Sequence, residues 1–297
     1  MAAILDGKAC AAAYKANIAA EVQQILARGG RKPHLAAILV GNNGASETYI
    51  ASKVKTCGEI GFESTLIRFP ESVTEAELLE TIQKINKQAE VDGLLVQLPL
   101  PAHINEHTVT LAIDPEKDVD GFHPGSLGRM MLGLPGFLPA TPKGIMMLLE
   151  HYGIKTSGME AVVIGRSHIV GSPMSVLLSR NTEPGNCTVS LCHSKTRNLE
   201  AHTRQADLVV AALGKPEFLK ADMVKPGAVV IDVGITKISD TSSPKGYKIV
   251  GDVAFEEVAQ KASWITPVPG GVGAMTIAAL MQNTLEASLR RQGLKQA

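Results

Sequence analysis

Apolar and polar positions along the chain follow two alternating rhythms. HLAAILVG (34–41), STLIRFP (64–70) and GLLVQLPLP (93–101) are short apolar runs, and the first is continuous enough to predict a strand covered on both faces. Between them lie longer stretches with helical signals. Residues 9–28 are Ala-rich and end at Gly29-Gly30, and ASETYIASKVKTCGEIGF predicts a helix from 45 to 60. TEAE (74–77) is a capping box with Thr74 as N-cap and Glu77 at N3, opening a helix to about 89. A second series follows, with AVVIG, CTVSLC, DLVVAALG, AVVIDVG and WITPV as strands and helices over 171–180, 198–205, 254–261 and 275–291. Strands alternating with helices predict an α/β protein with parallel sheets and crossover helices.

The two series are separated by Gly-, Pro- and Asp-rich loops over 114–140. TPKGIMMLLEHYG then predicts a domain-crossing helix with Thr141 as N-cap, Pro142 at the first helical position and Gly153 as the stop. TKISDTSSPKGYK (236–248) is expected to be an exposed hairpin or loop.

Composition removes several function classes. The chain has 297 residues, 45% of them hydrophobic, enough for one large or two ordinary α/β domains. The 29 basic and 29 acidic residues balance, and with 4% aromatics and no dense Lys/Arg run a nucleic-acid surface is not expected. No apolar run reaches membrane-span length, and MAAILDGKAC lacks the pattern of a signal peptide, so a cytoplasmic protein is expected. Cys10, Cys57, Cys187 and Cys192 form no CxxC pair and are expected as buried reduced thiols.

AVVIGRSHIVGSPMSVLL (161–178) is a strand, a glycine turn and a helix. Gly165 ends the strand, and Gly171 lets the helix start close to it. Backbone N–H groups and the helix dipole at such a turn can hold a pyrophosphate. The spacing G-x-S-x-x-x-G departs from the strict dinucleotide pattern, so its weight comes from its place in the strand–turn–helix unit. An NAD site usually has an acid at the end of the next strand, where this chain has CHSKT (192–196). Arg166, Ser194 and Lys195 are instead suited to a ribose phosphate, which favours NADP.

Two patterns point elsewhere and are set aside. HINEH (103–107) matches the zinc-binding H-x-x-E-H, but prolines precede it and no third ligand follows. Tyr49 and Lys53 share one helix face at the spacing used by short-chain dehydrogenases, but those enzymes carry the pair after their glycine-rich loop, not before it. Several segments are expected to meet Lys53 instead. Gln97 ends one strand, Asp118-Val119-Asp120-Gly121 is a polar loop, and PVPGGVGAMT (267–276) is a tight turn before the last helix. Open α/β sheets bind ligands beyond the carboxyl ends of their strands, and together these segments suggest a cleft between two domains.

The segments GNNGASETYIASK, DGLLVQLPLP, KDVDGF, TPKG, VVIGRSHIVGSP, CHSKT, VIDVGI and TPVPGGVGAMT occur in an order that resembles the bifunctional methylenetetrahydrofolate dehydrogenase/methenyltetrahydrofolate cyclohydrolase family. With its flanking helices the resemblance covers nearly the whole chain. It implies a catalytic folate-side domain over 1–140, completed by the helix at 275–297, and a Rossmann-type NADP-binding domain over 141–274. It implies Lys53 as catalytic lysine, Tyr49 lying against the folate, Gln97 hydrogen-bonding the lysine and Asp120 holding the pterin. Val268, Pro269 and Gly270 would line the substrate, and Gly165, Arg166, Ser167, Ser194 and Ile235 would contact the cofactor. It further implies a cytosolic homodimer with tetrahydrofolate one-carbon substrates and a place in purine biosynthesis.

The residues suit that chemistry independently. Hydrolysis of a methenyl cation needs a group that accepts a proton and returns it. A lysine can do so once its pKa falls towards neutrality, through desolvation or a nearby cation. Gln97 suits the task better than a carboxylate, which would hold Lys53 charged. A catalytically silent binding protein would need a broken proton-transfer centre, and the sequence shows none. A dehydrogenase without the hydrolytic step is disfavoured by Tyr49, Lys53 and Gln97 all being present. Two departures from the family pattern, Ala274 for Pro and Asn43-Gly44 for Asp-Pro, are expected to affect turn rigidity and substrate affinity more than reaction type.

Overall fold

The computed structural model describes residues 1–241 and 246–294. In chain order its elements are β1 (Ala3–Ile4), α1 (Gly7–Ala27), β2 (His34–Val40), α2 (Gly44–Glu59), β3 (Glu63–Phe69), α3 (Glu75–Lys87), β4 (Gly93–Val96), α4 (Glu106–Ala112), α5 (Pro124–Leu132) and α6 (Ala140–His151). There follow β5 (Glu160–Ile164), α7 (Gly171–Ser179), β6 (Thr188–Cys192), α8 (Leu199–Thr203), β7 (Leu208–Ala211), β8 (Val229–Asp232), β9 (Thr236–Ser239), β10 (Tyr247–Val250), α9 (Phe255–Val258), β11 (Trp264–Ile265) and α10 (Val272–Arg291). The chain forms two compact units, Met1–Ala11 with Thr141–Thr276, and Ala12–Ala140 with the residues from Ile277 onward.

The second of these units contains a parallel sheet of order β3-β2-β4. The continuous apolar run of β2 makes it the central strand, paired from His34↔Glu63 to Val40↔Phe69 on one side and from Leu35↔Gly93 to Ile38↔Val96 on the other. The predicted capping box forms: Thr74 Oγ1 accepts from Glu77 N, and Glu77 Oε2 accepts from Thr74 N at 3.0 Å. It aims Leu78, Ile82 and Ile85 of α3 into a core shared with Ile38, Leu94 and Val109. Beside β4 runs an extended strip, bridged in parallel at Leu94↔Asp118, with Leu94 N donating to Lys117 O at 2.8 Å. Gly93 permits this approach, because a Cβ there would lie 2.7 Å from Val119 Cγ1. The Asn283 amide of α10 donates to Val119 O and Leu138 O, holding the strip from its far side.

The other unit is built on a six-stranded, wholly parallel sheet of order β1-β11-β8-β7-β5-β6. Numbered from β5, its five main strands follow the 2-1-3-4-5 doubly wound order, whose switch point lies between β5 and β7. Residues 1–11, expected on the folate side, belong here instead. β1 adds to the sheet edge through Ala3↔Trp264 and Ile4↔Ile265, and two residues are too few to carry a pattern of their own. Helix α6 also starts two residues early, at Ala140, so Thr141 lies in its first turn rather than at its cap. The Thr141 hydroxyl is instead 3.1 Å from Thr276 Oγ1. Gly153 ends α6 in the left-handed region, with φ 64°. β9 and β10 pair as an antiparallel ribbon, and residues 242–245 of the expected hairpin lie outside the described residues. All four cysteines are free and buried.

Candidate active site

Asn43 caps α2, its side chain accepting from Ala45 N and Ser46 N at 3.0 and 3.2 Å. The Asn43-Gly44 departure therefore keeps a capping oxygen at the start of the helix. One turn further on, Tyr49 and Lys53 share a face, and Lys53 Nζ sits 5.0 Å from the Tyr49 ring centroid, within reach of its π face. Lys53 is 3% exposed. Its Nζ donates to Gln97 Oε1 at 3.2 Å, and Gln97 Nε2 donates to Leu98 O at 2.8 Å, which directs the amide oxygen at the lysine. Gln97 is fixed in turn because its N–H continues the β4 ladder to Ile38 O.

The fourth member, Asp120, adds a carboxylate beside the Gln97 amide. Asp120 Oδ2 lies 3.9 Å from Nζ and favours the charged lysine. Burial is the larger influence, and it holds the Lys53 pKa below the ordinary lysine value despite Asp120. Tyr49, Lys53, Gln97 and Asp120 are thus brought together at the carboxyl ends of β2 and β4, where parallel sheets present ligand sites.

Sequence reasoning missed the support beneath Asp120. Asp118, 2% exposed, accepts from Phe122 N, His123 N and the Ser126 hydroxyl, folding the loop back on itself. Burial outweighs these hydrogen bonds and pushes its carboxyl up to about 6. Lys117 is fully buried and donates to Ile85 O and Gln88 O at the end of α3. Burial, followed by the charge of Arg291, pulls its ammonium down to about 8. An acid and a lysine inside the KDVDG run that borders a buried strand were the available signal.

The glycine turn of the other unit is as tight as its sequence required. Gly165 has φ 117°, and a Cβ on it would lie 2.0 Å from Ala212 O; one on Gly171 would lie 2.0 Å from Gly165 O. No other residue fits either position without moving backbone. Ser167 Oγ accepts from Val170 N and Gly171 N at the start of α7. Above this turn opens a pocket of roughly 330 Å³, whose wall includes Gly165, Arg166, Ser167, His193, Ser194 and Lys215. It lies over the carboxyl ends of β5, β6 and β7, across the switch point. Ordinary backbone packed around two indispensable glycines, with Arg166 and Ser194 exposed on the wall, fits a dinucleotide with a ribose phosphate.

The remaining predicted residues stand apart from that wall. Ile235 is 60% exposed, near Gly273. Val268, Pro269 and Gly270 form the turn before α10, with a cis Val268–Pro269 bond and Gly270 O accepting from Lys8 N. Ala274 lies in the first turn of α10 and donates to Gly271 O at 3.3 Å, a bond that proline could not make. His103 and His107 do not share a helix: His103 bonds Val73 O, while Asn105 caps α4, which contains His107. Among the described residues no three His, Cys, Asp or Glu side chains gather as a metal site. No described helix is long and apolar enough to cross a membrane.

Two family models match the chain. The catalytic domain of tetrahydrofolate dehydrogenase/cyclohydrolase matches residues 5–120, and its NAD(P)-binding domain matches 139–292. A bifunctional protein FolD of Flavobacterium johnsoniae is 61% identical over 288 residues, 97% of this chain and 98% of that protein. The crystal structure of the bifunctional methylenetetrahydrofolate dehydrogenase/cyclohydrolase FolD from Campylobacter jejuni is 48% identical, with a TM-score of 0.92 over 98% of this chain and all of that one. The Trypanosoma brucei dehydrogenase-cyclohydrolase, solved with NADP cofactor and an inhibitor, is 36% identical with a TM-score of 0.92, covering 97% of this chain and 98% of that one.

Proposed function

The chain belongs to the tetrahydrofolate dehydrogenase/cyclohydrolase family, and on that premise we propose how its residues divide two consecutive reactions. The enzyme oxidises 5,10-methylenetetrahydrofolate to the methenyl compound with NADP and hydrolyses that product to 10-formyltetrahydrofolate. Bound NADP supplies the hydride acceptor. The glycine turn and Ser167 present backbone to its pyrophosphate, and Arg166 and Ser194 meet its ribose phosphate; Ile235 contacts the cofactor as well. Val268, Pro269 and Gly270 line the substrate.

Lys53 is the general acid/base. Neutral Lys53 takes a proton from the water that attacks the methenyl carbon. It returns that proton to the ring nitrogen as the carbon–nitrogen bond opens, and the remaining hydroxyl proton leaves as the formyl group forms. Gln97 holds Nζ in place, Asp120 pairs with the pterin, and Tyr49 lies against the folate. The observation that supports this assignment is the buried ammonium of Lys53, held by the Gln97 amide, whose proton affinity burial has lowered. Residues 1–11 join the NADP-binding unit, and the folate-side unit runs from residue 12 to 140 and is completed by the C-terminal part of α10. The protein acts in the cytoplasm as a homodimer and supplies formyl groups for purine synthesis.

Methylenetetrahydrofolate and NADP⁺ together should raise absorbance from NADPH, followed by 10-formyltetrahydrofolate. No NADPH would refute the oxidative step, and methenyl compound that accumulates without hydrolysis would refute the second. Light scattering after size exclusion checks the dimer: a mass equal to one chain removes it.

A further inference from the structure

Part of the cofactor pocket's wall comes from the segment after β7, which contributes Ala212, Leu213, Lys215 and Phe218. This segment has no regular structure of its own to hold it in place. It rests on the strip that follows β10. Glu217 N donates to Gly251 O, Leu219 N to Asp252 O, and Ala254 N to Leu219 O, with a parallel bridge at Leu219↔Val253. Asp252 reaches across that strip. Its Oδ2 accepts from both Leu213 N and Gly214 N, at 2.7 and 2.9 Å, and the residue is fully buried. Its Oδ1 is buried with no hydrogen-bond partner. A carboxylate kept out of water with one oxygen unused is costly, so its presence calls for a task that the other oxygen performs.

The strip is itself held by a second buried acid. Asp232, at the end of β8, accepts from Gly234 N, Asp252 N and Val253 N. The fit leaves no slack: a Cβ on Gly251 would lie 1.8 Å from Asp232 Oδ2, and one on Gly234 would lie 2.5 Å from Asp252 Oδ1. The contacts therefore run in series, from Asp232 to the strip, from the strip to Asp252, and from Asp252 to the two amides that set the pocket wall.

We infer that Asp252 is a positioning residue for cofactor binding, which fixes the Leu213–Gly214 turn so that Leu213 and Lys215 line the pocket. This rests on the reading of that pocket as the NADP site. It touches only the oxidative half of the chemistry, because methenyl hydrolysis needs no cofactor. That gives a readout that simple damage to the fold would not mimic.

The test uses the full-length protein and the variants D252A, D252L and D252N, with NADP⁺ titrated calorimetrically and methenyl hydrolysis measured without cofactor. Ala and Leu remove the acceptor, Leu keeping the branched outline of Asp with methyl groups in place of its oxygens, and Asn keeps one carbonyl oxygen for both amides. D252A and D252L should weaken NADP⁺ binding at least about tenfold, the loss expected for two hydrogen bonds to a buried acceptor. D252N should stay within about threefold of the parent, and hydrolysis should hold within about twofold in all three. Unchanged NADP⁺ affinity in a folded acceptor-less variant overturns the inference. So does D252N as weak as D252A, or a parallel loss of binding and hydrolysis. A parent protein that does not bind NADP⁺ at all overturns the reading of the pocket instead.

Discussion

The two candidate sites solve opposite problems. Around Lys53 the working groups are side chains, the lysine is almost wholly buried, and the effect of the protein is to lower its affinity for a proton. Around Gly165 and Gly171 the working surface is backbone, the flanking Arg166 and Ser194 stay exposed, and the defining feature is the absence of side chains. Proton transfer near neutral pH needs a lysine shielded from water, whereas a pyrophosphate needs close approach to N–H groups. The lesson is that burial is the tool in one unit and vacancy of the Cβ position is the tool in the other.

The contrast is sharpest if each site can be lost without the other. Replacing Lys53 with Met should lower methenyl hydrolysis by about 10²- to 10⁴-fold and leave calorimetric NADP⁺ affinity unchanged. Retained hydrolysis would remove the lysine from the mechanism. The mirror experiment is Gly171→Ala, whose methyl must displace Gly165 O. NADP⁺ binding should fall more than about tenfold, with a loss of stability of about 1–3 kcal/mol, while methenyl hydrolysis persists. Equal losses of both activities would mean that the turn serves the fold as a whole.

A subtler test changes the kind of partner. Gln97→Glu places a second carboxylate at the lysine and should move the midpoint of the hydrolysis pH profile upward by about one pH unit. In the parent protein, hydrolysis should rise with pH as Lys53 loses its proton, at a pH below that of an exposed lysine, because burial favours the neutral form. A midpoint unmoved by the glutamate would show that Gln97 has no electrostatic part.

The last test concerns stability. Asp118 and Asp232 both hold their protons up to about 6 in the folded chain, against an ordinary value of 3.8. Between those limits the unfolded chain binds fewer protons, so stability falls as pH rises through that window and levels off above about 6. Each acid accounts for roughly 3 kcal/mol of that fall. Asp118→Asn should remove its share, measured by urea unfolding at pH 4 and pH 7; a pH dependence equal to the parent's would refute it.

Most of the architecture was legible in the sequence, because parallel strands covered on both faces leave continuous apolar runs and helices between them leave capping signals. Thr74 and Glu77 are the clear instance. The grouping of Tyr49, Lys53, Gln97 and Asp120 was legible through its motifs, and Gly165 and Gly171 through their place at a strand end. What stayed hidden depends on contacts distant in sequence. β1 is two residues long and is a strand only because Trp264 and Ile265 offer an edge. The hydroxyl of Thr141 looks like a cap until Thr276 is seen to take it. Asp118 reads as a loop acid and Asp232 as the end of a strand, since nothing local reports that an aspartate will be buried against backbone amides.

The Gln97 amide has one more consequence. With its nitrogen occupied by Leu98 O, only its oxygen faces Lys53, and an amide oxygen accepts a hydrogen bond from an ammonium and from an amine alike. The clasp therefore survives the loss of the lysine's proton. One N–H stays pointed at Gln97, and the lone pair that appears on Nζ must lie along another of its tetrahedral directions. Lys53 can thus act as base and then as acid from one fixed stance, like a gate whose hinge pin is never drawn while the latch opens and closes.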